Sequence, residues 1–308
     1  MELSWINKLR IAAVAGLGIV VIGILAWPLA APIDPILPVR AATLGLSGTL
    51  LLLVLAFAVG FLGYFIAWPH GREIGILGVP FGLTVWAGRS GPMRALTQVW
   101  DDTAGRTALV HSLRVEPFYW MLLVAAGFAG VLLAQRLRQA PRNAALDPEP
   151  EPTPKANAGS PTSGRATNVY TNALIALVVS IIVSLFCLGV FVQNLEMSQN
   201  VPTQPAAGQI LFGVTAAFAI AAFIIKHFLN LSYILPAVAS VFVVILAQIL
   251  HYRGETIQKF AEIYPATFFP HSVFAIVPVQ LVALATLGSV LGFWMAVRYD
   301  WWKKHETV

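Results

Sequence analysis

Few side chains in this chain of 308 residues are equipped for chemistry. There are six histidines, and four of them, His70, His111, His227 and His271, fall at the ends of long apolar stretches. Imidazoles contributed by facing helices of a bundle can ligate haem iron, so these four are the candidate cofactor-binding residues, for haem or for a quinone. Their place at the rims of the stretches, not inside them, equally fits solvated, hydrogen-bonded histidines. His251 closes another stretch and His305 lies near the C-terminal end. Asp101, Asp102, His111 and His271 offer metal-ligand chemistry without any fixed ligand spacing, and Asp101-Asp102 reads more simply as an exposed turn of a helix. Cys187 is the single cysteine, which excludes an intrachain disulfide and a cysteine metal cage. Ser90-Gly91 and Ser163-Gly164 lack the Gly-x-Ser-x-Gly of a nucleophile elbow, and no phosphate-binding loop occurs. No catalytic residue and no metal site is expected, and the chain reads as a non-enzyme with no cofactor unless the histidines hold one.

The elements that must position these residues follow from composition. The chain is 58% hydrophobic and 11% charged, against about 25% charged for a soluble protein. That is too little charge to coat a surface facing water, so a soluble domain and a disordered chain are excluded. The excess of 19 Lys and Arg over 14 Asp and Glu reads as membrane topology, and no nucleic-acid partner is expected. A helix needs about 20 apolar residues to cross a bilayer. Spans are expected near 10–30, 43–68, 73–88, 117–136, 170–193, 208–229, 232–251 and 273–298. The third is short and carries Pro80 between Gly78 and Gly82; a re-entrant segment is its rival reading.

Charge decides between the two. With eight spans, both termini share a side with Lys8, Arg10, Arg72, Arg136, Arg138, Arg142, Lys155, Arg165, Lys226, Arg298, Lys303 and Lys304. The other side holds Arg40, Arg89, Arg94, Arg106, Arg114, Arg253 and Lys259, which seven acids offset. With seven spans the bases divide almost evenly. The positive-inside rule therefore favours eight spans in the cell (inner) membrane, N- and C-termini cytoplasmic. The first span is read as a retained anchor, since its apolar run exceeds the ~7–15 residues of a signal peptide.

The expected fold class is all-α, a polytopic helical membrane protein of about eight transmembrane helices in two four-helix halves. Residues 1–138 form the first half, 139–168 a flexible linker rich in Pro, Gly and Ser on the cytoplasmic side, and 169–308 the second half. Arg89 to Trp100 parallels Arg253 to Tyr264, His111-Ser112 parallels His271-Ser272, and Gly130 to Arg136 parallels Gly292 to Arg298. These ordered matches suggest a parallel internal repeat. Gly91–Arg106 and Gly254–Tyr264 are expected to form interfacial helices in the outer loops, as anchors or as a lid.

No Asp or Glu lies in mid-membrane, which removes the usual residues of a proton relay or sodium site. Ser180, Ser184 and Cys187 form a mildly polar stripe, and Gln248 and Gln280 offer bonds between helices. The leading functional expectation is a non-catalytic subunit or scaffold of a membrane complex, with the lipid bilayer and other membrane-protein subunits as partners. One alternative is a permease for a small solute, with its site between the repeats near Pro80 and Pro236. The other is a haem- or quinone-binding anchor.

Overall fold

Long apolar stretches satisfy their backbone in hydrocarbon by coiling, because no water reaches them there. The computed structural model, which describes residues 5–144, 163–196, 201–264 and 266–306, is built on that rule. Its helices are α1 (Trp5–Gly18, continued by a π-helical Ile19–Leu25), α2 (Trp27–Ala30), α3 (Leu46–Ile66), α4 (Gly71–Ile74), α5 (Gly78–Arg89) and α6 (Met93–Val99). They continue with α7 (Thr103–Ala144), α8 (Ser163–Phe191), α9 (Ala207–Ile224, extended by a π-helical Ile225–Leu229), α10 (Ile234–His251), α11 (Gly254–Glu262) and α12 (Pro278–Glu306). β1 (Leu195–Glu196) and β2 (Val201–Pro202) form a small antiparallel ribbon.

Among the described residues seven helices are long and apolar enough to cross a membrane: Trp5–Leu25, Leu46–Ile66, Thr103–Arg138, Tyr170–Phe191, Ala207–Leu229, Ile234–His251 and Pro278–His305. The chain is an all-α, multi-pass membrane protein. The linker expected over 139–168 is helical at both edges, since α7 runs on to Ala144 and α8 starts at Ser163. Residues 145–162, most of that linker, lie outside the described residues.

Local signals set the helix ends. Asp102 caps α7, its Oδ1 accepting from the Gly105 N–H at 3.0 Å. Pro278 opens α12 at the first position, where a missing N–H costs nothing. Asn230, in the left-handed region at φ 52°, ends the π-helical turn after α9.

The segment between α3 and α6 behaves as one broken helix from Gly71 to Arg89, with a 3₁₀ turn at Gly75–Leu77. It runs beside α1 in the same direction, Gly78 meeting Gly18 and Gly82 meeting Ile22, and opposite to α3, Gly71 meeting Tyr64 and Gly78 meeting Val59. It starts where α3 finishes. It leaves where the Val39 N–H donates to Ser90 Oγ at 3.0 Å and Gly91 lies against Ile36. The segment therefore traverses the bundle from end to end. Its glycines at 71, 75, 78 and 82 are spaced four, three and four, which is one helical face. A Cβ on Gly18 would fall 1.8 Å from the Gly78 carbonyl oxygen, so backbone packs on backbone here.

The same economy joins the longer helices. A Cβ on Gly130 of α7 would lie 2.1 Å from the Phe57 carbonyl oxygen of α3, and one on Gly292 of α12 would lie 2.0 Å from that of Ala219 of α9. The two contacts share one offset, as 292 − 130 and 219 − 57 both give 162. Helix α12 is the most enclosed of the long helices: 72% of its apolar stretch is buried, against 22% for that of α1. It touches α9, α5, α10 and α7. Residues 31–45, 90–102, 193–196, 201–206, 252–264 and 266–277 gather at one end of the bundle, tied by Gln204, which accepts from the Arg94 N–H and donates to the Ala275 carbonyl. The opposite end holds the turns after α3 and α9 and the end of α12, where Arg138 lies over Trp68 and His227 meets Asp300.

Candidate functional site

Where the first four long elements meet the last four, α7 and α10 run antiparallel and α12 leans on α5. Two glutamines stitch this junction. Gln248 is buried; its Oε1 accepts from Arg114 Nε at 2.9 Å and its Nε2 donates to the Val110 carbonyl at 3.3 Å. Gln280 donates to the Ala87 carbonyl at 3.1 Å and accepts from the Val277 N–H. Both serve as the bonds between helices that their sequence position suggests. Ser180 and Ser184 are fully buried, as the polar stripe requires, and the Ser180 hydroxyl donates to Ala176 one turn back on its own helix.

Above Gln248, at the loop end, the junction closes over a cavity of about 20 Å³, room for one water-sized group. Arg106, Thr97, Gln248 and Tyr252 supply its polar groups; Leu109, Phe269 and Phe274 supply much of its apolar wall. The short α6 lends it Met93 and Thr97. Thr97 on α6 donates to the Ala266 carbonyl, and Arg106 is only 7% exposed and donates through Nη1 to the Phe260 carbonyl on α11. Its Nε has no hydrogen-bond partner. The segments expected as interfacial anchors thus bury one face on the bundle, Met93 and Leu96 from α6 and Ile257 and Phe260 from α11. Val99, Trp100 and Ile263 stay exposed. Burial raises the Tyr252 phenol far above its ordinary range, with Arg106 opposing, so it remains a neutral donor.

Beside this cavity, His271 stacks on His251 with ring centroids 4.6 Å apart and planes 21° apart. His271 Nδ1 accepts from the Val273 N–H at 3.3 Å, which caps the 3₁₀ turn Ser272–Ala275. Burial, and next the facing His251, push the His271 imidazole down to about 4, so it is neutral at physiological pH. An ion pair ties residues 31–45 to α7: Arg40 Nε lies 2.8 Å from Glu116 Oε1, and Arg40 also donates to Ser112.

The four sequence candidates are placed singly. His70 is exposed at the start of α4, and His111 is exposed on α7. His227 Nδ1 lies 2.7 Å from Asp300 Oδ1, with Phe223 and Tyr299 against its ring. His271 pairs with His251, which the sequence reading left outside the candidates. No two of the four share a hydrogen bond or a ring contact among the described residues, whereas bis-imidazole haem needs two rings facing one cavity. The described residues hold no group of three or more His, Cys, Asp or Glu suited to a metal ion. Asp102 spends one carboxylate oxygen on its helix cap. Arg106, Tyr252 and His251 are the residues sequence reasoning passed over. Each is distant along the chain from what it touches, and no periodicity marks such contacts.

Pro80 and Pro236, the expected breaks for a solute site, both fall in the first turn of their helices, α5 and α10. There a proline displaces no intrahelical bond. Compared with known protein families, with curated proteins and with solved structures, the chain matches none.

Proposed function

We propose that this chain is a non-catalytic subunit or scaffold of a membrane complex, crossing the inner membrane eight times with both termini and the 139–168 linker in the cytoplasm. The end-to-end course of Gly71–Arg89 supports the eighth crossing. The clustering of residues 31–45, 90–102, 193–196, 201–206, 252–264 and 266–277 at the end with balanced charge supports the orientation, since eleven basic residues among the described ones belong to the other end. The shared 162-residue offset of the two glycine contacts supports an internal duplication.

One observation carries the functional reading. Four buried hydroxyls of the spans return to carbonyls of their own helices, Ser180 to Ala176, Ser240 to Ala237, Thr286 to Val282 and Ser289 to Ala285, while that of Ser184 on α8 has no hydrogen-bond partner among the described residues. Such groups stiffen and pack a bundle without lining a path for solute or proton. A small-solute permease would need a polar or roomy midplane; Pro236 sits in the first turn of α10, and the break at Gly75–Leu77 before Pro80 is buried against α3.

The test is purification from the native host in mild detergent after crosslinking in the cell, paired with flux assays in proteoliposomes. A second membrane protein recovered at fixed ratio, with no flux across a solute panel, is the expected result. Recovery of the chain alone together with measurable flux would overturn the reading.

A further inference from the structure

Below Arg114 and Gln248, a groove of about 290 Å³ opens between α7 and α10 on the lipid-facing side of the bundle. Its walls are apolar throughout: Phe118, Leu122 and Ala125 from α7, Val238 and Phe242 from α10. Arg114, Phe118, Leu122 and Ala125 recur at steps of four, four and three, so one face of α7 carries a cation at its outer end and the groove beneath it. From Arg114 to Ala125 the helix rises ~17 Å, close to half of a ~30 Å hydrocarbon core. The cation and the groove beneath it together therefore span the depth of one leaflet, the groove itself taking ~10 Å of it.

The charge at its mouth is uncompensated. Arg114 is exposed and gives Nε to Gln248, and among the described residues no carboxylate pairs with it. Glu116, two residues on, is buried and engaged by Arg40. His111 is exposed three residues outward of Arg114, on the same face of α7.

We propose that this seam is a binding site for an anionic phospholipid of the outer leaflet, with one acyl chain in the α7–α10 groove and the phosphate on Arg114. The chemistry asks for a ligand that is apolar over one leaflet's depth and negative at its outer end, and an anionic lipid has both properties. A transmembrane helix of a partner would cover Arg114 without matching its charge, whereas a lipid phosphate compensates it. The site rests on the chain spanning the membrane and is independent of whether it serves as a scaffold.

The full-length protein is reconstituted in nanodiscs of equal phosphatidylglycerol and phosphatidylcholine, released, and examined by native mass spectrometry for retained lipid. The parent should keep one phosphatidylglycerol in preference to phosphatidylcholine. Arg114→Gln should lower that preference about five-fold, on the scale of one cation at the membrane surface, and Arg114→Lys should keep it. Ala125→Trp, at an exposed position inside the groove, should lower retention of both lipids while leaving thermal stability unchanged. Equal retention of the two lipids by the parent, or an undiminished preference in Arg114→Gln, would sink the proposal. So would a second protein chain retained at the seam in place of lipid.

Discussion

The backbone-to-backbone contacts of α3 with α7 and of α9 with α12 make a quantitative prediction. In Gly292→Ala the new methyl carbon would lie 2.0 Å from the Ala219 carbonyl oxygen, and in Gly130→Ala 2.1 Å from that of Phe57. A carbon and a carbonyl oxygen rest about 3.3–3.6 Å apart, so each helix pair must separate by ~1 Å. A gap of that size forfeits a quarter to a half of each dispersion contact along the seam. Lipid offers no hydrophobic drive to close it again. Overpacking of this kind costs ~1–3 kcal/mol. Gly16 is the control, because nothing lies within 4 Å of a Cβ placed there. Thermal unfolding in mild detergent, followed by tryptophan fluorescence, should show both variants melting several degrees below the parent, at ~2 °C or more per kcal/mol. Gly16→Ala should melt no lower than the parent. Parental stability in both variants, or an equal loss in the control, would refute the close-approach argument. A loss in one pair alone would refute their equivalence.

Two further outcomes are expected. Folding holds His271 neutral down to about pH 4, whereas an exposed imidazole takes up its proton near 6.5. The unfolded chain therefore binds the extra proton between those values. This stabilisation is complete above about pH 6.5 and falls by up to ~3 kcal/mol as pH drops towards 4. Melting curves at pH 7 and pH 5 should show the loss in the parent and a flatter dependence in His271→Asn; identical slopes would show that the stacked pair does not titrate this way. In a Cys187→Ser background, cysteines at His70 and Asn230 should react with a membrane-impermeant maleimide only after cell lysis, and one at Gln258 should react in intact cells. If Gly71–Arg89 failed to cross, His70 and Asn230 would fall on opposite sides, and one of them would label in intact cells.

How much of this was legible from sequence depended on distance along the chain. The long apolar runs declare their helices locally, and the bridging roles of Gln248 and Gln280 follow from polar side chains with no water to meet. Gly288 and Gly292, four residues apart on one helical face, pack α12 against Thr215 and Ala219. The crossing at Gly71–Arg89 was harder to read. Its glycines lie on one face, but the apolar run is short and the 3₁₀ turn at 75–77 interrupts the regular helix that length arguments assume. Contacts across the loop end were not legible at all. Arg40 finds Glu116 at 76 positions' distance, and Arg106 finds Phe260 at 154. Nothing periodic links such partners, because tertiary packing alone brings them together. His271 was identified as a candidate, yet its ring stacks on His251 and not on His111, its counterpart in the proposed repeat.

The enclosure of α12 sets the order in which the molecule can mature. A ribosome delivers Pro278–Glu306 after every other spanning helix, yet this is the helix around which α5, α7, α9 and α10 close. Until it leaves the translocon, the surfaces that will receive it, including Thr215 and Ala219 on α9 and the Ala87 carbonyl on α5, have only lipid or chaperone for company. Assembly of this bundle is consequently post-insertional. A nascent chain stalled before Pro278 would present quality-control proteases with an open seam in place of a nearly finished protein.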